Sequence, residues 1–93
     1  MIAITKKPRS VVVCGQHVKV RYRKNLKDFG QFFGEDNEIL IANDDKWREH
    51  LLHELLHAIL FYSGHAFKFK DENDEEAFVR AMENGLKTLN FSF

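Results

Sequence analysis

His53-Glu54-Leu55-Leu56-His57 is a complete H-E-x-x-H, set within the apolar stretch from Trp47 to Gly64. Two histidines four apart project from the same side of an α-helix about one turn apart, so both imidazoles can meet one metal ion. At about 100° per residue Glu54 lies beside them, where its carboxylate reaches a metal-held water without itself ligating. These residue types suit hydrolysis at a zinc ion. The chain holds five His in 93 residues, and at its residue frequencies the pattern arises by accident in roughly 2% of such chains. A pair of surface or capping histidines is the bland alternative.

A catalytic zinc takes three protein ligands and keeps one position open, so a third must come from elsewhere. The extended metzincin pattern requires Gly three residues after His57 and His six after it, and Leu60 and Ser63 stand there. His65 follows Gly64, which breaks the helix and lets His65 swing toward the site. The other candidates are the carboxylates of a second helix. Taking Phe78, Ala81, Met82 and Leu89 as its inner stripe, Glu75 lies on the stripe's edge, about 20° from Met82, and Glu76 points away. Glu75 is therefore the expected third ligand, with Glu76, Glu72 and His65 as alternatives. His65, Tyr62 and Tyr22 are candidates for stabilising an oxyanion.

The elements that must position these groups follow from periodicity. Val11 to Val13 and His17 to Arg23 read as two strands joined by a turn at Cys14-Gly15-Gln16. In the second, Val18, Val20 and Tyr22 share one face and His17, Lys19, Arg21 and Arg23 the other, which places His17 on the wet side. The run FGQFFGEDNE reads as a loop, with Glu35-Asp36-Asn37 marking a hairpin connection. Ile39 to Ala42 is a third strand. Asn43, Asp44 or Asp45 can cap the metal helix, and Gly64 stops it. Asn73 with Glu76 makes a capping-box pattern for a second helix running to about Asn90. Residues 1–9, with Pro8 among them, form at most an edge strand or a loose end.

The expected fold is α+β: a small three-stranded, mainly antiparallel sheet with two principal helices, forming one minimal domain over residues 1–93. A chain of this length buries about 60–65% of its unfolded surface. Fourteen basic and fourteen acidic residues cancel, which removes the net positive field that nucleic acid would select. Cys14 is the only cysteine, excluding an internal disulfide and a thiolate zinc cluster. The amino terminus lacks a secretory pattern, and no run of about eighteen apolar residues exists to span a membrane. A cytoplasmic location is expected.

NEILIANDDKWREHLLHELLHAIL followed by DENDEEAFVRAMENGLKTL resembles the very small gluzincin-type metallopeptidase-like proteins of bacteriophages and prophages, distant relatives of the ImmA/IrrE-like and SprT-like groups. The resemblance implies that His53, His57 and Glu75 bind one zinc ion and that Glu54 is the general base. It implies host cytoplasm as the location. It also implies that Ile39 to Ala42 is an edge strand able to hold an extended peptide substrate by β-augmentation. The function expected is zinc-dependent hydrolysis of peptide bonds. One alternative is a non-catalytic, zinc-stabilised protein-interaction domain, in which Glu54 is dispensable. Another is a metal-free module binding nucleic acid through the basic hairpin.

Overall fold

A computed structural model describes residues 6–89; Met1 to Thr5 of the amino-terminal segment and Asn90, the expected end of the second helix, lie outside them. The order is β1 (Ser10–Val13), β2 (Gln16–Arg23), β3 (Gly30–Phe33), β4 (Glu38–Ala42), α1 (Trp47–Tyr62), a 3₁₀ turn (Ala66–Lys68) and α2 (Glu72–Thr88). The class is α+β, as the periodicity predicts. The sheet differs from the expected one in having four strands, ordered β1-β2-β4-β3, and one parallel pair.

The β1–β2 hairpin turns at Cys14 and Gly15, both at positive φ (50° and 79°), the backbone a tight two-residue connection demands. Val11 then lies opposite Val18 and Val13 opposite Gln16. Alternation does the rest in β2: Val18 and Val20 are buried and His17 is exposed. The missing strand is Gly30–Phe33, inside the segment read as loop. Two glycines and a lack of alternation hide it, but its partner is β4, with Phe32 opposite Ile39 and Gly30 opposite Ile41. Because β3 takes the outer position, β4 is driven between β3 and β2. It runs parallel to β2, with Val20 opposite Ile39 and Tyr22 opposite Ile41. Ile39–Ala42 is therefore an interior strand, hydrogen-bonded on both sides, and not the edge strand the resemblance implied. The free edges are β1 and β3.

One face of the sheet packs on α1. Val18, Val20, Ile39, Ile41, Trp47, Leu51 and Ala58 form the core, with Leu55, Phe32 and Tyr62 against it. Asp44 takes the Lys46 N–H on its side chain and the Trp47 N–H on its carbonyl, so it satisfies orphan donors just before the helix begins. Gly64, at φ 79°, ends the helix, and the His65 N–H closes back on the Leu60 carbonyl at 2.8 Å. The cap of α2 is Asp71, whose Oδ1 accepts the Asp74 N–H at 2.9 Å, and not Asn73.

The phase of α2 is the largest departure from expectation. Phe78, Met82 and Leu89 are exposed (44%, 43% and 75%), and Ala81 with them, while Val79 is the fully buried residue. The inward face is Glu76, Val79, Glu83 and Leu86, with Glu75 at its margin. This helix turns its acidic side to the body and its apolar side to solvent. Among the described residues no helix is long and apolar enough to cross a membrane.

Candidate metal centre

Residues α1 and α2 contribute to the centre face each other across the H-E-x-x-H side of α1. His53 Nε2 lies 2.5 Å from Glu76 Oε1, and His57 Nε2 lies 3.1 Å from the same oxygen. Two imidazole nitrogens and one carboxylate oxygen thus converge on a single point, each half-buried. Nitrogen and oxygen ligands about 2.0–2.1 Å from a tetrahedral ion stand roughly 3.3 Å from one another; the His57–Glu76 pair is near that spacing, the His53–Glu76 pair is shorter, and all three atoms lie within 4.8 Å of one another. A His₂Glu donor set is the type that catalytic zinc sites use.

The other ring nitrogens are also engaged. His53 Nδ1 is 3.3 Å from Glu83 Oε1, and His57 Nδ1 is 2.5 Å from Glu75 Oε2. A ligating histidine typically donates its second N–H to a carboxylate, which fixes its tautomer and the direction of its free lone pair. Glu75, expected at the ion, therefore sits on the far side of the His57 ring, and Glu76 occupies the place assigned to it. One residue along a helix is about 100° of rotation. Taking the exposed Phe78–Met82 stripe as the inner face was enough to exchange the two. Glu83 follows from the corrected phase: seven residues after Glu76, it returns to the same face two turns on.

Glu72 lines the edge of the site and does not join the trio. His65 is exposed and bonds to Ser63. Tyr22 donates to the Pro8 carbonyl and Tyr62 to Asn37, each at 2.8 Å, so neither hydroxyl is turned to the site.

Glu54 is buried, at 8% exposure. Among the described residues none hydrogen-bonds its carboxylate, and it lines the clefts on both sides of the trio. Burial pushes its pKa up; the nearby His53 and His57 charges pull the other way, and Glu76 and Glu83 add to the rise. A carboxyl raised toward neutrality is a better proton acceptor from a weakly acidic water. Burial alone would lower His57, but the bonds to Glu75 and Glu76 and the charge of Glu54 outweigh it, and its pKa is raised. For Glu76 burial pushes up, while its bonds to the two imidazoles and their charges prevail and hold it below the usual carboxylate range.

The two clefts meet at the trio. The larger, about 600 Å³, runs between the start of β3 and the far half of α2, past Phe29, His50, Arg80 and Lys87. The smaller, about 300 Å³, runs past Gln31, Phe32, Glu72 and Glu75. Both share Gly30, His53, Glu54 and Glu76. Gly30 is small for a reason: a Cβ there would stand 3.1 Å from Glu54 Cγ and from the Leu40 carbonyl oxygen. The free edge of β3 thus borders the His53–His57–Glu76 trio along both clefts. No sequence pattern marks Gly30, because its role depends on the strand pairing.

Compared with known proteins, the chain matches no family model, no curated protein and no solved structure.

Proposed function

We propose that this chain is a zinc-dependent peptidase in which His53, His57 and Glu76 hold one metal ion and Glu54 is the general base. The observation that carries this reading is the convergence of His53 Nε2 and His57 Nε2 on Glu76 Oε1, with Glu54 buried beside them. A zinc ion held there would supply a Lewis acid for the scissile carbonyl and lower the pKa of a water. Glu54 would take a proton from the water whose oxygen adds to the carbonyl carbon and give it to the amine nitrogen as the C–N bond breaks. Glu83 and Glu75 hold the imidazoles in register. The free edge of β3 offers backbone groups to an extended peptide, which would lie along the two clefts with its carbonyl at the trio.

The test has two parts. Protein purified without chelator or His-tag is expected to carry one zinc per chain by elemental mass spectrometry, and His53→Ala to lose it. Glu54→Gln is expected to keep the zinc and lose cleavage of unfolded protein. Zinc-free wild type, even after zinc is added back, would refute the metal reading. Equal cleavage by the Gln variant would refute the mechanism.

One observation favours the second reading, a zinc-stabilised interaction domain without turnover: Val79 is the single fully buried residue of α2, so an ion between the helices would add much to its attachment. On that reading Glu54→Gln is silent in every assay, while zinc removal releases α2.

A further inference from the structure

The larger cleft carries charges that the metal centre does not use. Of the carboxylates lining it, Glu76 and Glu83 face the imidazoles of α1, Glu49 is held by Lys87 at 2.9 Å, and Glu54 is buried. That leaves Lys27, Asp28 and Arg80, each exposed and each without a hydrogen bond or ion pair among the described residues. Two of the three are cations.

Arg80 is the better placed of them. It follows Glu76 by four residues, about one turn along α2 and about 40° around it, and both line the same side of the cleft. Its rise from Glu76 is about 6 Å. Nothing inside the chain needs a guanidinium there: Val79 makes the buried contact of α2, and Lys87 already bridges to α1. Lys27 and Asp28 precede β3, across the cleft, where their charges offset each other.

We infer that Arg80 is a specificity-determining residue that pairs with a carboxylate of the peptide in this cleft, so that acidic segments are selected over neutral ones. The inference rests on the proposed seating of an extended peptide along β3. Guanidinium and carboxylate match as planar forks joined by two parallel hydrogen bonds, and a pair inside a protein-walled cleft is screened less than one on an open surface. An extended chain advances about 3.3 Å per residue and returns to the same face every second residue. A step of about 6 Å therefore sets the acidic group about two residues from the carbonyl at the trio. A Glu or Asp side chain supplies that carboxylate, or a chain terminus at the same distance.

Binding and cleavage are read separately, with zinc present. The probes are short acetylated peptide amides of alanine and leucine, each with a single Glu, the same peptides with Gln in its place, and one Gln peptide ending in a free carboxylate. Affinity is measured by calorimetry on Glu54→Gln protein, and cleavage by wild type is mapped by mass spectrometry. A Glu peptide is expected to bind about tenfold more tightly than its Gln counterpart, the scale of one charge-assisted hydrogen bond. Adding Arg80→Gln should abolish that preference with helical circular dichroism and zinc content unchanged, and Arg80→Glu should turn it toward peptides carrying Lys. Lys87→Gln, whose cation is already held by Glu49, should keep it. A preference shown by the free terminus alone assigns the carboxylate to the chain end, and one shown by internal Glu assigns it to a side chain. Glu and Gln peptides that bind alike, or not at all, overturn the inference, as does a preference that survives Arg80→Gln. Cleavage without acidic preference leaves the peptidase reading standing and refutes this one; acidic preference without any cleavage does the reverse.

Discussion

Glu75→Gln and Glu76→Gln differ by one position in the chain and by one ring nitrogen in space, and their effects on zinc affinity should differ accordingly. Both substitutions keep volume and leave a carbonyl oxygen, so neither opens a cavity. Glu76 Oε1 is 2.5 and 3.1 Å from the two Nε2 atoms; converting it to an amide replaces an anionic ligand by a weak neutral one. Structural zinc sites are worth about 10–16 kcal/mol over four ligands, or about 2.5–4 kcal/mol each. That corresponds to roughly 60- to 700-fold in dissociation constant. Glu75 Oε2 is 2.5 Å from His57 Nδ1, on the far side of the ring, and the glutamine oxygen can still accept that N–H. Loss of such an outer partner costs about 10–100-fold, and the retained acceptor puts Glu75→Gln near tenfold. The assay is competition for zinc against a chromogenic chelator at neutral pH, with Glu72→Gln as the control expected to change nothing. A Glu75 variant that binds more weakly than the Glu76 variant would restore Glu75 as the ligand and refute the convergence argument. Two variants both within threefold of wild type would remove the metal from this site altogether.

Gly30→Ala is expected to retain zinc and, on the proposed mechanism, to lower turnover by about a few-fold, because its Cβ would stand 3.1 Å from both Glu54 Cγ and the Leu40 carbonyl oxygen, so that Glu54 must give by a few tenths of an ångström, a fraction of the displacement that costs about a hundredfold. Leu51, fully buried under the sheet, should cost about 2–5 kcal/mol on truncation to Ala, read from chemical denaturation. Burial lifts the Tyr22 hydroxyl to about 12. Its proton is kept in the fold above the ordinary value of 10.0, so this stabilisation is complete below about pH 10 and lost as pH rises toward 12. Ultraviolet titration should show one tyrosine ionising in that window together with alkaline unfolding, and Tyr22→Phe should remove the late step. In metal-free protein the raised His57 adds stability that is present below its ordinary value of 6.5 and lost as pH rises through the folded value. The lowered Glu76 adds stability that is lost as pH falls. Chelated protein should therefore show faster amide exchange in α2 on both sides of a maximum, and zinc should flatten that profile.

Much of this geometry was legible because it is local. H-E-x-x-H on a helix with a Gly64 stop, the β1–β2 hairpin with its wet His17 and the buried Ile39–Ala42 run all follow from short-range periodicity. What was not legible depends on pairing at a distance. β3 is a strand because β4 offers it an edge, and β4 is interior because β3 takes the outside; a four-residue GQFF carries neither fact. The phase of α2 failed for a different reason. Periodicity identifies an apolar face but assumes that face is turned inward, and here Glu76 and Glu83 are drawn inward by the imidazoles of α1. Where polar groups hold a helix in place, hydrophobic patterning points to the wrong side.

β3 walls both clefts, yet it is held by a single neighbouring strand, and none of its residues is fully buried. The β1-β2-β4 ribbon with α1 contains the buried core without it. The attachment of β3 otherwise rests on Phe32, whose ring meets Phe61 and Tyr62 of α1. If an extended peptide pairs with this edge as proposed, it becomes the second neighbour that β3 lacks, so that occupancy of the cleft and stability of the strand would rise together.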